Sequence, residues 1–501
     1  MPGVGFERVI AIGAALLLVT VADASGARVQ ARSARVTQKA IGVSLPRGVS
    51  GDARPQVACP SVSGCVATFG TANLLVLGEH RHKWTREATL AGVGVRALAC
   101  PAVGSCAGTG WIHGAPKALV TRSGRTWHAS AVQLPDISSP ASAVLPSVSC
   151  GSAGDCAAVG WREVYAPGNI QDHALLAMEK SGSWGAGTNL QLPADVVTAP
   201  GPEAWPVPGG VASVVSCSSR GNCAVAGTYT NAVPQSNGPA YRSEGWVATE
   251  QAGQWQPAVS VQLPADADTK GEGAAMSGTS PFLGFTGISC PSAGNCTAVG
   301  GYELGYPQPA GMILTERNGV WLRGVRAPMP RGAAAPSEPN AWNDPLFSVS
   351  CAAADDCAAI GAWVAPGAPG PGGSYVGTYH GLLLTERSGK WSASKLVLPR
   401  GARATGDVFL KEVTCPSRGN CVAIGNYANH GKTNGLIEIE HRGKWQRAIK
   451  AWLPKNAAKA SQQHAGLNSV SCPSTNRCTI VGSYDSRAGR PQGLILSLQI
   501  R

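Results

Sequence analysis

The cysteines constrain this chain more than any other feature of its sequence. All 16 fall into pairs of the form C-x5-C that recur along the 501 residues. The pairs are Cys59/Cys65, Cys100/Cys106, Cys150/Cys156, Cys217/Cys223, Cys290/Cys296, Cys351/Cys357, Cys415/Cys421 and Cys472/Cys478. Eight copies of one motif predict eight copies of one structural unit, because a repeated unit buries its apolar surface by stacking on its neighbours.

The common spacing predicts one disulfide within each unit. Zinc ligands, the alternative, are usually two to four residues apart and bring two pairs together, whereas each pair here stands alone in its unit. Disulfides persist outside the reducing cytoplasm. The pairs therefore also predict an exported protein.

The N-terminus predicts export independently. Arg8 precedes an apolar run over residues 9–21 and an A-x-A pattern that ends at Ala24, which is the composition of a secretory signal peptide. We expect residues 1–24 to be a signal peptide cleaved near Ala24, residues 25–37 to be a linker, and the mature protein to be secreted without a membrane span. The alternative is that the apolar run is retained as an anchor.

Each unit contains four strand-like segments. In the sixth unit these are residues 346–351, 357–363, 380–387 and 390–399, which are rich in β-branched and small apolar residues between Gly, Pro and Ser clusters. The fourth segment opens with a tryptophan in seven units, which predicts a packing anchor between adjacent sheets. These tryptophans are Trp84, Trp127, Trp184, Trp255, Trp321, Trp391 and Trp445.

Four antiparallel strands per repeat are typical of a β-propeller blade. The eighth unit contains three such segments, and residues 38–47 form a further strand-like segment that belongs to no unit. We predict an all-β fold, a single β-propeller over residues 38–501 with eight four-stranded blades. The N-terminal strand completes the last blade and removes an open sheet edge. Seven or nine blades would require a blade without a cysteine pair or a pair outside the ring.

The connections between strands predict where a ligand binds. The first-to-second and third-to-fourth connections are short and uniform, whereas the second-to-third and blade-to-blade connections vary in length. Both variable connections emerge on one face of an up-and-down blade, and repeat proteins tend to bind ligands on such a face. We expect the cysteine hairpins to staple the opposite, uniform face.

The variable-loop face carries the candidate ligand-binding residues. Their aromatic rings and polar groups are suited to contacting sugars, and the alternative is that they anchor the loops. The candidates are Trp205, Trp342, Asn343, Asp344, Tyr306, Tyr375 and Tyr379.

The sequence contains no recognised catalytic or metal signature. Nucleophile-elbow, Walker, H-E-x-x-H and calcium-loop motifs are missing. Five histidines expected on the variable face come from five different units, and we interpret them as solvated loop residues: His113, His173, His380, His430 and His464. We therefore expect no metal site and no cofactor.

The formal net charge is +12, from 41 Lys and Arg against 29 Asp and Glu. The basic residues form no tract, and no nucleic-acid-binding motif is present, so a nucleic-acid partner is not expected. We interpret the charge as a solubilising bias. The alternative is attraction to polyanions such as acidic glycans.

The third and fourth strands share a hairpin motif, L-T-E-x-x-G-x-W, at residues 314–321 and 384–391. It resembles the Asp-box (BNR) hairpin of sialidase-like propellers, although the aspartate is absent. The C-P-S-x-x-N-C-x-A-V-G pattern also resembles that of secreted actinobacterial β-propeller proteins. These resemblances imply the propeller fold. A sialidase also needs three arginines, a Tyr/Glu pair and an acidic Asp, and no residue here matches that set by position.

The sequence as a whole predicts a secreted, monomeric β-propeller that binds an extracellular polysaccharide or protein. The specific hypothesis is a glycan or cell-wall polymer bound on the variable-loop face. The alternative is an extracellular glycan-active hydrolase or lyase whose site no motif reveals.

Overall fold

The computed structural model describes residues 34–46, 48–49, 54–135, 141–166, 169–197, 207–233, 240–268, 282–305, 308–333, 346–365, 378–402, 407–429, 431–459 and 463–501. These residues belong to one compact unit, Ala34–Arg501. The predicted signal peptide and most of the predicted linker lie outside the described residues. In the part of the chain that is described, no helix has the length and apolar character needed to cross a membrane.

The described strands form eight antiparallel sheets, one for each cysteine pair. We number these blades 1 to 8 in the order of the pairs along the chain. Each blade has an inner, a second, a third and an outer strand. The inner strands are Gln56–Ala58, Val93–Ala102, Ala141–Ser152, Gly210–Ser219, Phe282–Ser292, Ser348–Ala353, Val408–Ser417 and Ala465–Ser474.

The remaining strands follow in blade order. The second strands are Val66–Phe69, Ser105–Ile112, Asp155–Ala166, Asn222–Val233, Asn295–Glu303, Asp356–Val364, Asn420–Asn429 and Arg477–Asp485. The third strands are Asn73–His80, Ala115–Ser123, Asn169–Lys180, Ala240–Gln251, Pro309–Arg317, Tyr379–Arg387, Lys432–His441 and Pro491–Ile500. The outer strands are Lys83–Ala91, Thr126–Ala131, Ser183–Trp184 with Thr188–Asn189, Gln254–Trp255 with Val259–Ser260, Val320–Trp321 with Val325–Arg326, Lys390–Lys395, Lys444–Trp445 with Ile449–Lys450, and Val36–Val43.

The blades close into a ring. Each inner strand contacts the inner strands of both neighbouring blades, from blade 1 through blade 8 and back to blade 1, so the inner strands surround a central channel. Blade 8 is completed by the N-terminal strand, whose Val36 pairs with Ile500. This confirms the eight-bladed propeller and its closure. The closing strand begins at Val36 instead of residue 38, because Val36 and Thr37 continue the pairing to the end of the third strand.

The apolar core lies between the blades. Second strands are buried on both faces, as in Asp356–Val364, where every residue is buried. In the interface between blades 3 and 4, Val159 and Leu176 pack with Val225 and Trp246. A strand buried on both faces carries a continuous apolar run instead of an alternating one, which is why the second strands read as runs of Ala, Val and Ile.

All eight predicted disulfides are confirmed, each within one blade. They join the inner strand to the second strand, with Cα–Cα distances of 3.9–4.1 Å. Within the described residues no cysteine is free. A serine preceding the first cysteine adds a link between blades, because the N–H of Cys217 donates to Ser149 Oγ of the preceding blade at 2.9 Å. Cys59, Cys290, Cys351 and Cys415 donate in the same way.

Half of each disulfide is buried in the core. The second cysteine of every pair lies in the core, with only 0–3% of its surface exposed. These buried residues are Cys65, Cys106, Cys156, Cys223, Cys296, Cys357, Cys421 and Cys478. Each of them lies at the start of a second strand, and the neighbouring blades cover that strand on both faces. Cys478, for example, packs with Val470 and Leu498 in one apolar cluster. The eight cysteines are therefore part of the structural core and present no surface to a ligand.

The repeated tryptophans pack between blades, as predicted, and they also donate hydrogen bonds there. Trp321 Nε1 of blade 5 donates to Thr249 Oγ1 of blade 4 at 3.1 Å. Equivalent bonds join Trp184 to Thr121 and Trp445 to Thr385. Thr249 and Thr385 are the T of the T-E-x-x-G-x-W motif, and Thr121 occupies the same position in blade 2, where Arg122 follows it. The motif is therefore a contact between neighbouring blades.

Three blades depart from this pattern, and in blade 7 Ile439 occupies the threonine position. Met178 occupies the threonine position of blade 3, and Trp255 Nε1 of blade 4 is buried without a partner. Gly78 occupies it in blade 1, where Glu87 fills the space. The Glu87 carboxylate accepts hydrogen bonds from Trp127 Nε1 at 3.1 Å and from the Arg122 guanidinium at 2.6 Å.

The outer strand is not one continuous strand in every blade. In blades 3, 4, 5 and 7 the outer strand is divided into two short pieces. Between the pieces the chain leaves its own sheet and donates to the preceding blade. Gly187 donates to the Gln133 carbonyl, Gly324 to the Gln262 carbonyl and Ala448 to the Val397 carbonyl, at 2.8–2.9 Å.

Candidate ligand site at the channel mouth

The inner strands of six blades carry a β-bulge at the same place, four residues before the first cysteine, within the part of the chain that is described. The skipped residues are Arg96, Pro146, Ser213, Thr286, Lys411 and Asn468. A bulge leaves one residue outside the ladder of hydrogen bonds and redirects its side chain. We call these six residues the bulge ring.

A glycine four residues after the second cysteine makes room for the bulge. A Cβ atom on Gly300 would lie 2.0 Å from the Gly284 carbonyl oxygen, and one on Gly425 would lie 2.1 Å from the Phe409 carbonyl oxygen. Both contacts are far below van der Waals distance. The glycine that ends the C-x-A-V-G pattern is therefore required by the bulge opposite it.

Lys411 of the bulge ring faces the channel. In blade 7, Leu410 and Val413 are buried between blades, whereas Lys411 is exposed. An inner strand borders the channel, so a side chain exposed in the middle of that strand reaches solvent along the ring axis. Each inner strand runs from a blade-to-blade connection to a cysteine hairpin. The bulge, near the start of the strand, therefore lies close to the variable-loop face.

Three cations gather on one side of this channel mouth. They are Arg96 in blade 2, Lys411 in blade 7 and Arg54, which precedes the inner strand of blade 1. Burial, followed by the charge of Arg54, lowers the pKa of both Arg96 and Lys411. Lys411 Nζ also donates to Asn468 Oδ1 of blade 8 at 3.2 Å. Since the three positive charges destabilise one another, an anion bound between them is stabilised.

Glu412 adds a carboxyl group beside Lys411. It occupies a position that is serine in blades 3, 6 and 8, and its Oε2 accepts a hydrogen bond from the N–H of Val470 at 2.8 Å. Burial raises the pKa of Glu412 to about 7 despite this bond and one from Ser469. The carboxyl group is therefore partly protonated at neutral pH and cancels only part of one positive charge.

An aromatic pair borders the mouth on the blade 6 and 7 side. Phe409, two residues before Lys411, is 42% exposed, and its ring centroid lies 5.6 Å from that of Tyr379. The N–H of Tyr379 donates to Asp407 Oδ1 at 3.0 Å, so this predicted residue contacts the next blade. The other candidates lie outside the described residues and stay predictions: Trp205, Trp342, Asn343, Asp344, Tyr306 and Tyr375.

The histidines were interpreted as solvated loop residues, and this was wrong for two of them. His173 and His380 lie in third strands, where they pair with Arg162 and Trp363. The His380 ring stacks on Trp363 with a centroid distance of 4.5 Å. Burial is the largest cause that lowers the pKa of both histidines.

The other three histidines are more scattered. His113 occupies a turn in blade 2 and His464 precedes the inner strand of blade 8, while His430 lies outside the described residues. Among the residues that the structure describes, no three His, Cys, Asp or Glu side chains are grouped to hold a metal ion.

These observations define an eight-bladed β-propeller, stapled by one disulfide per blade, with a cationic channel mouth on its variable-loop face. No protein-family model matches the chain, and no curated protein matches it.

Solved structures with a similar arrangement share little sequence with the chain. YCF48 bound to D1 peptide is 10% identical and has a TM-score of 0.37 over 80% of this chain and 92% of that one. A subtype N10 neuraminidase-like protein of A/little yellow-shouldered bat/Guatemala is 9% identical, with a TM-score of 0.31 over 70% and 93%. A post-proline cleaving enzyme from Rickettsia typhi is 7% identical, with a TM-score of 0.42 over 86% and 57%.

Proposed function

We propose that this chain is a secreted binding protein that recognises an anionic group of an extracellular glycan or cell-wall polymer at the channel mouth. The observation that carries the proposal is the placement of Arg54, Arg96 and Lys411 from three different blades around one opening. Eight disulfides fit an extracellular location.

Partial desolvation makes Arg96 and Lys411 better suited to binding an anion than fully hydrated cations. Lys411 and Arg96 are partly desolvated, and hydrogen bonds to charged groups contribute about 1.5–3 kcal/mol each, more than neutral ones. A carboxylate between the cations also relieves their mutual repulsion. Phe409 and Tyr379 offer aromatic rings beside the cations, suited to the flat face of a sugar.

Binding is favoured over catalysis by the composition of the mouth. Its described residues combine three cations with the carboxyl groups of Glu412 and Asp407, and each carboxyl group accepts a main-chain hydrogen bond, from Val470 and Tyr379 respectively. A glycosidase places two carboxyl groups across the bond that it cleaves. The alternative of a glycan-active hydrolase or lyase stays a prediction.

The test measures affinity for oligogalacturonate, whose sugars carry carboxylates, against its neutral methyl ester. We expect the mature protein to bind the acid form, and R96Q/K411Q to bind it at least about tenfold more weakly, the equivalent of losing one charged hydrogen bond. The control K83Q/R125Q removes the same charge from hairpins on the opposite face. Equal losses in both variants would contradict a site at the mouth.

The same assay separates the loop candidates from the ring. W205A/W342A removes the two predicted loop tryptophans and leaves the bulge ring unchanged. A loss of binding in this variant supports their role, whereas unchanged binding assigns recognition to the ring.

A further inference from the structure

A second groove lies on the outer rim, on the far side of blade 7 from the channel. It has a volume of about 830 Å³ and is lined by the outer strand of blade 7, the closing strand of blade 8 and the end of the outer segment of blade 6. Its polar and aromatic lining comes from Gln38, Arg400, Arg447, Lys450, Trp452 and Gln463.

Hydrogen bonds from Gln38 fix the segment that lines the base of the groove. The Gln38 side chain reaches from blade 8 to the edge of blade 7, where its Nε2 donates to the Lys450 carbonyl at 3.0 Å and its Oε1 accepts from the N–H of Trp452 at 2.9 Å. These two bonds satisfy main-chain groups that an edge strand otherwise leaves open. Gln38 therefore holds the segment that carries Lys450 and Trp452 in an extended conformation.

Trp452 presents its ring to solvent. It is 59% exposed, the one tryptophan in the described part of the chain with a largely exposed surface. The repeated tryptophan of the same blade, Trp445, is instead packed against its neighbours. Lys450 and Trp452 alternate with the buried Ala451 and so share the outward side of the segment.

The charge of the groove has one sign. Arg400, Arg447 and Lys450 line it, and none of the described lining residues is acidic. Burial, followed by the charge of Lys432, lowers the pKa of Lys450. The carboxyl group of Glu438 interacts with Arg447, but burial keeps it protonated at neutral pH by raising its pKa to about 9. The groove therefore keeps its positive charge.

We propose that this rim groove binds an acidic glycan. One sugar ring of the glycan lies against the Trp452 indole, and the carboxylates of the glycan bind Arg400, Arg447 and Lys450. A flat exposed ring beside cations suits a ligand with an apolar sugar face and regularly spaced anionic groups. An acidic peptide has the negative charge but lacks the flat apolar face that a sugar ring places against the indole. The chain's own residues 25–33 carry Arg28 and Arg32, so like charge disfavours them as occupants.

The groove is a separate site from the channel mouth, and the experiment measures binding at the groove while the mouth is weakened. Binding of oligogalacturonate is measured in the R96Q/K411Q background, where the mouth is weakened. We expect W452A to lower the remaining affinity about tenfold or more, W452F to retain most of it, and R400Q/K450Q to lower it by a similar factor. L322A, which removes an exposed apolar side chain from the rim of blade 5, serves as the matched control and should change nothing.

Three results would overturn the proposal. These are no remaining binding in the R96Q/K411Q background, equal affinity of W452A and L322A, or binding of poly-glutamate as tight as that of oligogalacturonate. The first two exclude the groove as the site, and the third reduces it to general attraction between charges. None of them bears on the channel mouth, which protection of residues 94–97 and 409–413 from hydrogen exchange tests separately.

Discussion

Replacing Thr249 by valine should destabilise the interface between blades 4 and 5. The Thr249 hydroxyl accepts a hydrogen bond from Trp321 Nε1 and donates one to Glu316 Oε1, both at 3.1 Å. Valine keeps the shape of the side chain but leaves a buried N–H and a buried carboxyl oxygen without partners. Each unpaired group costs about 1–3 kcal/mol, so we expect T249V to lose roughly 3 kcal/mol.

Calorimetry of the intact chain measures this loss. Unfolding entropy is about 2.1 cal/mol/K per residue, so for about 470 folded residues the predicted loss lowers Tm by roughly 3 °C. Burial raises the pKa of Glu316, and the bond from Thr249 lowers it. The variant therefore raises this pKa further, and the decrease in Tm should be larger at pH 8 than at pH 5.

Thr109 provides the matched control. It is fully buried, and its hydroxyl has no hydrogen-bond partner. T109V should leave Tm unchanged or raise it, because an unpaired buried hydroxyl costs free energy. If T249V and T109V lower Tm equally, the contact between the motif and the next blade contributes nothing to stability.

Three further predictions concern pH, the disulfides and the bulge. Burial raises the pKa of Glu412 to about 7 and that of Glu438 to about 9, from 4.5. The stability that these two groups contribute to the folded state is present below pH 4.5 and is lost as the pH rises through these values. E438Q should therefore weaken the fall of Tm between pH 5 and 9, and an unchanged slope of Tm against pH would contradict this. Removing one bridge in C415A/C421A should cost about 2 kcal/mol by calorimetry, and no change in Tm would show that the bridge adds no stability. G425A places a Cβ 2.1 Å from a carbonyl oxygen, so it should lower both Tm and oligogalacturonate affinity; retained affinity would show that the bulge does not position the mouth.

The repeated features of the fold could be predicted because each of them recurs in the sequence. Cysteine spacing indicated the disulfides, and the tryptophan strand indicated the blades. The missing eighth outer strand identified residues 38–47 as the closing strand, and its pairing with the C-terminal strand confirms this. The interrupted outer strands could not be predicted, because they depend on hydrogen bonds to the preceding blade, such as that from Gly324 to Gln262.

The burial of the second cysteines also depends on neighbouring blades. Spacing within one unit predicts that Cys415 bonds to Cys421, but it does not say which of the two is covered. Cys421 is 1% exposed and Cys415 is 8% exposed, and both pack in the cluster between blades 6 and 7. Contacts between units decide this burial, and they are not readable from the repeat alone.

The bulge ring could not be predicted from the sequence for a different reason. Its position recurs four residues before the first cysteine, but its chemistry changes from Arg96 to Pro146 to Lys411. A search for repeated residue types finds no pattern there. The repeated glycine opposite the bulge, Gly425 in blade 7, was the available signal, since a glycine within a strand often marks a bulge.

The central claim is that an anionic ligand binds at the channel mouth, and hydrogen exchange tests it most directly. Exchange is compared with and without saturating oligogalacturonate in wild type. Binding at the mouth predicts slower exchange in residues 94–97 and 409–413, around the bulges of blades 2 and 7. Binding without protection in either segment, or with protection confined to the cysteine hairpins, would contradict the claim.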